Sequence, residues 1–534
     1  LRARQMRSIV GCLFVVTFFS HCALALKFLA FNPILFHSPA NFLGKISDAL
    51  VEAGHEVVML SPIMHAGYPN ISSKLARVIH IPPNDLMRQF EMIETKSAAM
   101  ELWTISQADP FGYIEMMHEF TPSWNEMCRV TLETPGLIEQ LKEERFDAAF
   151  SEIVEYCGFG LFHLLGIDKF AVTSSLASLD GLEHITGVPA FTSFQPALFS
   201  LYGDRMSMFA RFSNILFHYG WARTLEVAHD ELQGFFDRRY PEMPKLDDIV
   251  KKSSFIFLNT DPLIDFPHLA SPKMVNLGGI ALPSKSNPLK EPLASLMSAR
   301  PRTVLVSFGS VMYSSLMPDP FKETIRSLAR SFPDVTFIWK YENPEDKVAA
   351  GIPNLHTFKW LPQADILRDR RLTAFVTHGG SGSSYEAIIS GVPTITVPVM
   401  SDQIRNGEMM RRLKTGRIIQ RDELATPEPL IDAVKDVLEN ESYKKRALHV
   451  AAMFASQPQP VRSRLVRHFE FMARFGPLDQ LDHAGREMGI VQFYNLDIFG
   501  AAATLVILAV LIVLAVLRRL FRIITIQKAK TKTN

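Results

Sequence analysis

Apolar residues along the chain fall into two alternating patterns. Short runs rich in Val, Ile, Leu and Phe, at residues 26–31, 56–60, 147–150 and 170–173, have the length of strands buried on both faces. The stretch 41–53 instead repeats its apolar positions at three- and four-residue spacing, the period of a helix. The alternation is cleaner in the second half, where 303–308, 335–340, 372–377 and 394–397 read as strands and 320–331 and 383–390 as helices. Alternating strand and helix predicts a parallel sheet covered by helices, and the length has room for two such doubly wound α/β domains. Both patterns break at 283–301, where Pro283, Ser284, Ser286, Pro288 and Pro292 crowd together, so the expected domains are 26–282 and 302–490, the latter with return helices. Residues 191–239 carry Phe, Met and Tyr at helical spacing and read as helices lining a cleft.

The two ends follow other rules. Met6 and Arg7 precede an apolar run that closes on Ala23-Leu24-Ala25, the pattern of a signal peptide over 6–25. The 20 residues 498–517 carry no charge, and at about 1.5 Å each they span the roughly 30 Å core of a bilayer. Arg518, Arg519 and Arg522 follow at once, so the basic tail 518–534 is expected in the cytosol and the bulk of the chain in the lumen. Lys530 and Lys532 resemble a dilysine retrieval signal, which predicts a single-pass type I protein of the endoplasmic reticulum membrane.

Lys and Arg total 56 against 55 Asp and Glu, a net charge of +1, and nothing argues for a nucleic-acid partner. Of four cysteines, Cys12 and Cys22 fall in the signal segment. Cys128 and Cys157 remain, able to pair in an oxidising lumen but too few for a metal site. Asn70 and Asn440 open glycosylation acceptor patterns.

The candidate chemistry gathers after the strand at 372–377. His378-Gly379-Gly380-Ser381-Gly382-Ser383 forms a glycine-rich turn into a helix, where backbone N–H groups and the helix N-terminus favour a phosphate. Glu386 lies in the next turn, within reach of ribose hydroxyls. Trp360-Leu361-Pro362-Gln363 offers an indole for stacking on a pyrimidine and an amide for base or ribose edges. Asp402-Gln403, after the strand at 394–397, would meet hexose hydroxyls at the same sheet edge.

Together with Phe375-Val376-Thr377, Gly391-Val392-Pro393, Pro398 and Asn406, these motifs resemble the signature of the animal UDP-glycosyltransferases, which include the UDP-glucuronosyltransferases. The resemblance implies a GT-B fold, two Rossmann-like domains facing across a cleft, with acceptor on the first and UDP-sugar on the second. It implies that Trp360 stacks on uracil, Gln363 touches base or ribose and Glu386 holds the ribose. His378, Gly380, Gly382 and Ser383 would meet the diphosphate, Ser310 would approach it, and Asp402 and Gln403 would read the sugar. The expected donor is UDP-glucose or UDP-glucuronate, the acceptor is small and lipophilic, and neither cofactor nor metal is expected. A homo- or hetero-oligomer is compatible with this reading.

The family's catalytic base is a His after the first strand, oriented by a carboxylate. Counting back from Gly54-His55-Glu56-Val57, its position holds Pro39, which cannot take a proton. His37, two residues earlier, is the candidate base and Glu152 the candidate carboxylate. The alternative is a catalytically impaired UDP-sugar-binding homologue or partner subunit.

Overall fold

The computed structural model describes residues 25–34, 37–64, 72–88, 100, 103–104, 110–176, 180–181, 183–282, 286–310 and 312–531. The signal segment before Ala25, the loop at Leu35, Asn70 and Lys532 lie outside them. The first sheet holds β1 (Lys27–Phe31), β2 (Glu56–Pro62), β3 (Arg77–Ile81), β4 (Ala148–Glu152), β5 (Phe170–Ser174), β6 (Phe255–Leu258) and β7 (Met274–Asn276). The second holds β8 (Arg302–Ser307), β9 (Val335–Lys340), β10 (Leu355–Phe358), β11 (Leu372–Thr377), β12 (Thr394–Thr396) and β13 (Gly416–Ile418). Helices that bear on function are α1 (His37–Glu52), α2 (Pro110–Leu132), α3 (Cys157–Leu164), α4 (Met208–Arg239), α5 (Gln363–Arg368), α6 (Ser381–Ile389), α7 (Gln403–Arg412), α8 (Val461–Phe475) and α9 (Leu496–Thr531).

Both sheets are parallel, ordered β3-β2-β1-β4-β5-β6-β7 and β10-β9-β8-β11-β12-β13. Each begins in its middle, winds to one edge, then returns to wind to the other. The order therefore reverses between β1 and β4 and again between β8 and β11, and at such switch points loops diverge and leave a crevice at the carboxyl ends of the strands. Phe31 pairs with Ser151 in the first sheet and Ser307 with Thr377 in the second, so the loops leaving each pair start level.

Alternate residues of each strand feed opposite faces. Leu29 and Phe31 join one core with Ala149, Tyr156 and Phe159, while Phe28 and Ala30 join another with Phe42, Ile46 and Phe150. In the second sheet Val304 and Val306 pack with Val376 and Ile395, and Leu305 packs with Phe375 and Ile366. Burial on both faces explains why these strands are continuous apolar runs rather than alternating ones.

Helix α8 is a return helix. Its chain position is in the second domain, yet Leu465, Phe469, Met472 and Ala473 complete the core under β1, β4 and β6. The Phe469 ring stacks on Phe257 with centroids 4.8 Å apart and meets Phe28 and Phe150 edge-on. The segment 191–239 differs from expectation: α4 alone is helical for 32 residues, and 191–207 is chiefly turns and irregular chain. One compact unit ends at Leu481, before the expected limit of 490, and residues 482–534 form a separate unit. In that unit 496–528 is long and apolar enough to cross a membrane, the one such helix among the described residues.

Candidate active site

The turn after β11 is shaped by what surrounds it. Gly379 sits at φ 84°, and a Cβ there would lie 2.6 Å from Thr396 Cγ2 and 2.9 Å from the Gln403 carbonyl. A Cβ on Gly309, at φ 86° in the turn after β8, would lie 2.6 Å from the His378 ring, and one on Gly380 would lie 2.5 Å from its Nε2. The imidazole is thus clasped between the two backbones that flank the switch point. Burial, with the Lys340 charge adding to it, pushes its pKa down to about 4, so the ring is neutral at physiological pH. Its Nδ1 is buried with no hydrogen-bond partner, an orphan that a bound ligand oxygen would satisfy. Beyond it, Gly382 opens onto free space at the start of α6, where the first N–H groups of a helix have no intrahelical acceptor. Ser310 stands half-buried in the facing turn.

The remaining donor residues are latched to this turn. Gln363, first residue of α5, donates through Nε2 to Ser383 Oγ at 2.9 Å and to Glu386 at 2.7 Å. Burial raises the Glu386 pKa, and the Gln363 amide opposes that rise. Asn406 donates to the Gly379 carbonyl at 2.9 Å and to Asp402 Oδ2 at 2.8 Å, tying the sugar-side carboxylate to the phosphate turn. Asp402 is itself buried, which raises its pKa, and follows Ser401 at φ 57°, a left-handed conformation that L residues rarely adopt. Gln403 spends its side-chain carbonyl on the Val399 and Met400 N–H groups, at 2.8 and 3.0 Å, leaving its amide NH2 for a ligand. Trp360 is 70% exposed, whereas Trp103, Trp124, Trp221 and Trp339 are all buried.

One residue escaped the sequence reading. Lys340 ends β9, is buried, pairs with Glu342 at 2.8 Å and holds its ammonium 5.9 Å from the Trp360 ring. Since it also depresses His378, it sets a cation between the indole and the phosphate turn. A lysine closing an otherwise apolar strand, Val335-Thr336-Phe337-Ile338-Trp339-Lys340, was the signal available.

The first domain presents the other switch point. Glu152 ends β4 and both its oxygens accept from the Ser175 N–H, at 3.0 and 3.1 Å. Burial pushes its pKa up to about 8 against the hydrogen bonds of Ser175, Ile153 and Thr173, so it is largely protonated at neutral pH. His37 is not in a loop but opens α1, with Pro39 in the same first turn, where a missing N–H costs no helical bond. At about 100° per residue, His37 and Pro39 point roughly 200° apart around that helix. Burial lowers the His37 pKa.

Two contacts join the crevices. Asn259 donates to the Ser175 carbonyl at 3.0 Å and, at 3.4 Å, to Ser381 Oγ at the start of α6, linking the residue that holds Glu152 to the phosphate turn. Asp265 and Arg405 form a buried ion pair at 2.8 Å, with the guanidinium over the Phe266 ring. A small cavity lined by Asp180, Glu183, Gln195, His268, Leu258 and Arg405 opens beside that pair. Its wall is held by His218 of α4, which lies 3.4 Å from Asp180 and 3.2 Å from Glu183. Although burial acts to lower the His218 pKa, the two carboxylates raise it to about 10. Cys128 of α2 and Cys157 of α3 form a disulfide. They and Glu155 make the only possible metal-ligand cluster found among the described residues, and the disulfide withdraws both thiols.

Paired crevices of this kind define a class. The fold is that of GT-B glycosyltransferases: a kitacinnamycin glycosyltransferase superposes with TM-score 0.56 at 17% identity, covering 84% of this chain and 99% of that one. The calicheamicin glycosyltransferase CalG4 gives 0.56 at 16%, covering 84% and 98%. Within that class, residues 36–532 match the family profile described as UDP-glucoronosyl and UDP-glucosyl transferase, and the chain belongs to this family. It is 29% identical to putative UDP-glucuronosyltransferase ugt-48 of Caenorhabditis elegans, over 92% of this chain and 95% of that one. It is also 29% identical to UDP-glucuronosyltransferase 3A1 of Xenopus laevis, over 73% of each chain. The chain is thus a UDP-glycosyltransferase, using a UDP-sugar donor and a small acceptor.

Proposed function

We propose that this transferase moves a neutral hexose from its UDP-sugar to a hydroxyl of a small lipophilic acceptor, with inversion in a single displacement. The observation that carries the donor half is Trp360, exposed beside buried Lys340 and three residues from the Gln363–Glu386 latch. A flat ring left open to water beside a clasped phosphate turn suits a nucleobase. The preference for a neutral sugar rests on Arg405, whose charge acts on Asp402 but is committed to Asp265. Charge developing on the departing UDP would be met by the α6 N-terminus, with no metal required.

His37 is the proposed base, neutral through burial and so able to accept the acceptor proton, with Glu152 as the nearby carboxyl. The divergent directions of His37 and Pro39 on α1 favour a second reading, a chain that binds donor well and turns over weakly. UDP-glucose and UDP-glucuronate offered with a panel of phenols decide between them. Under the first reading His37→Ala abolishes glucosyl transfer. Under the second His37→Ala changes nothing, and Pro39→His raises the rate at least tenfold at unchanged UDP affinity. Both domains are proposed to be lumenal, in accord with the Cys128–Cys157 disulfide. Protection of both domains from protease added outside sealed microsomes checks this.

A further inference from the structure

Trp124 and Trp221 pack in the core of the first sheet and Trp339 in that of the second, each in the domain to which its place in the chain assigns it. Trp103 is different. It lies between β3 and α2, in the chain of the first domain, yet its side chain joins the core of the second with Val306, Phe308, Met312 and Phe321. It is 1% exposed, and its rings meet Phe308 edge-on at 5.2 Å and Phe321 at 6.4 Å.

The indole reaches the loop that faces the phosphate turn. Its Nε1–H donates to the Tyr313 carbonyl at 3.1 Å, and the same oxygen accepts from the Leu316 N–H at 3.1 Å, so both of its lone pairs are engaged. The far half of this loop is fixed from within the second domain. Ser314 Oγ donates to the Lys340 carbonyl at 2.9 Å and accepts from the Trp339 Nε1–H at 3.2 Å, and the Ser315 N–H donates to Glu342 at 3.1 Å. The near half is met by Trp103 at both of its ends, at the Phe308 ring and at the Tyr313 carbonyl. Between those two contacts lie Gly309, on which a Cβ would strike the His378 ring, and Ser310, which would approach the diphosphate. A buried indole N–H is costly to leave without an acceptor, so the ring and the Tyr313 carbonyl hold each other in place.

We propose that Trp103 is a positioning residue for the donor: through one indole, the first domain holds Ser310 of the second at the place the diphosphate requires. The donor site is then completed by the domain that binds the acceptor. Linkage makes the relation mutual, so whatever the latch adds to donor affinity, bound UDP returns to the docking of Trp103. The inference rests on the reading of the phosphate turn as the donor site.

Benzothienylalanine in place of Trp103 keeps the size and shape of the indole and removes only its N–H. In the full-length protein it should weaken UDP binding, read by calorimetry, by at least about threefold, the effect of one lost hydrogen bond. Trp103→Phe, which also loses packing, should weaken it by at least about tenfold. A role in packing alone would lower the melting temperature and leave UDP affinity where it was. In the Ser310→Ala background the loss caused by the isostere should shrink to less than about half, because the latch acts through that residue; losses that simply multiply overturn this route. UDP affinity unchanged by the isostere, while Trp360→Ala still weakens it, overturns the latch and spares the donor reading. Affinity indifferent to both replacements overturns the donor reading and the latch with it. Should Trp103→Phe fail to fold, the isostere and hydrogen exchange at the Trp103 indole decide: bound UDP should slow that exchange at least about threefold in the parent chain, by the same linkage, and an unchanged rate overturns the proposal.

Discussion

The two switch points are built on the same strand order and furnished in opposite ways. Between β8 and β11, the backbones of Gly309 and Gly380 pack against a neutral His378, and one buried cation and an exposed indole stand beside it. Between β1 and β4, the corresponding crevice holds Pro39 and a carboxyl that burial keeps protonated. The first is preorganised for a charged ligand whose shape is fixed. In the second, burial holds Glu152 largely protonated and lowers the His37 pKa. A sheet order supplies a crevice, and the residues at its rim decide what chemistry it can do.

The sharpest way to break the comparison is at the turn itself. In Gly379→Ala the new Cβ meets Thr396 and the Gln403 carbonyl at a positive φ, so stability should fall by more than about 2 kcal/mol. UDP affinity should fall at least about a hundredfold, read by calorimetry on whatever fraction remains folded. Trp360→Ala should weaken UDP binding by about 1–3 kcal/mol, the range of base stacking. The melting temperature should not move, because Trp360 covers no core. Asn259→Ala cuts the thread between Ser175 and Ser381, and should lower kcat about tenfold at unchanged donor KM, the mark of lost orientation. An equal loss in donor affinity would show instead that Asn259 serves the donor turn alone.

The last test reads a slope and belongs to Glu152. Its pKa is raised to about 8 in the folded chain against about 4.5 unfolded, so the folded state binds the extra proton between those values. That contribution to stability is complete below pH 4.5 and is lost as pH rises through 8. Urea unfolding of Glu152→Gln should therefore show a flatter decline between pH 5 and 8 than the parent chain. An unchanged slope would place the ionisation elsewhere, Glu155 being the other buried carboxyl raised to about 8.

Much of this was legible in the sequence because burial on both faces writes inner strands as apolar runs. Strands 335–340 and 372–377 match β9 and β11 residue for residue. The edge strands β3, β7, β10 and β13 were not recognised, being short or half-polar: Arg77-Val78-Ile79-His80-Ile81 is buried only at its last residue, and the inner strand β6, apolar and buried but only four residues long, was missed as well. The candidate donor residues could be proposed from the sequence because they lie in consecutive motifs. Lys340 was not, since its role arises when β9 lands beside β8 and meets a tryptophan twenty residues on. Nor could spacing show that His37 and Pro39 share a helical turn, which converts a two-residue shift from a small displacement into a reversal of direction. Residues 191–239 were read as helices lining a cleft, whereas the first turns of α4 expose Met208, Phe209 and Phe212, because apolar residues at helical spacing do not say which of them the fold covers.

Helix α8 carries a consequence for biosynthesis. The rings of Phe28, Phe150 and Phe257 lack the partner that Phe469 provides until residues 461–475 have left the ribosome. The domain made first is therefore finished last, after the one that follows it has been synthesised. A nascent chain halted after β13 would display an open aromatic surface to chaperones, and a premature stop codon there would disable the domain farthest from it.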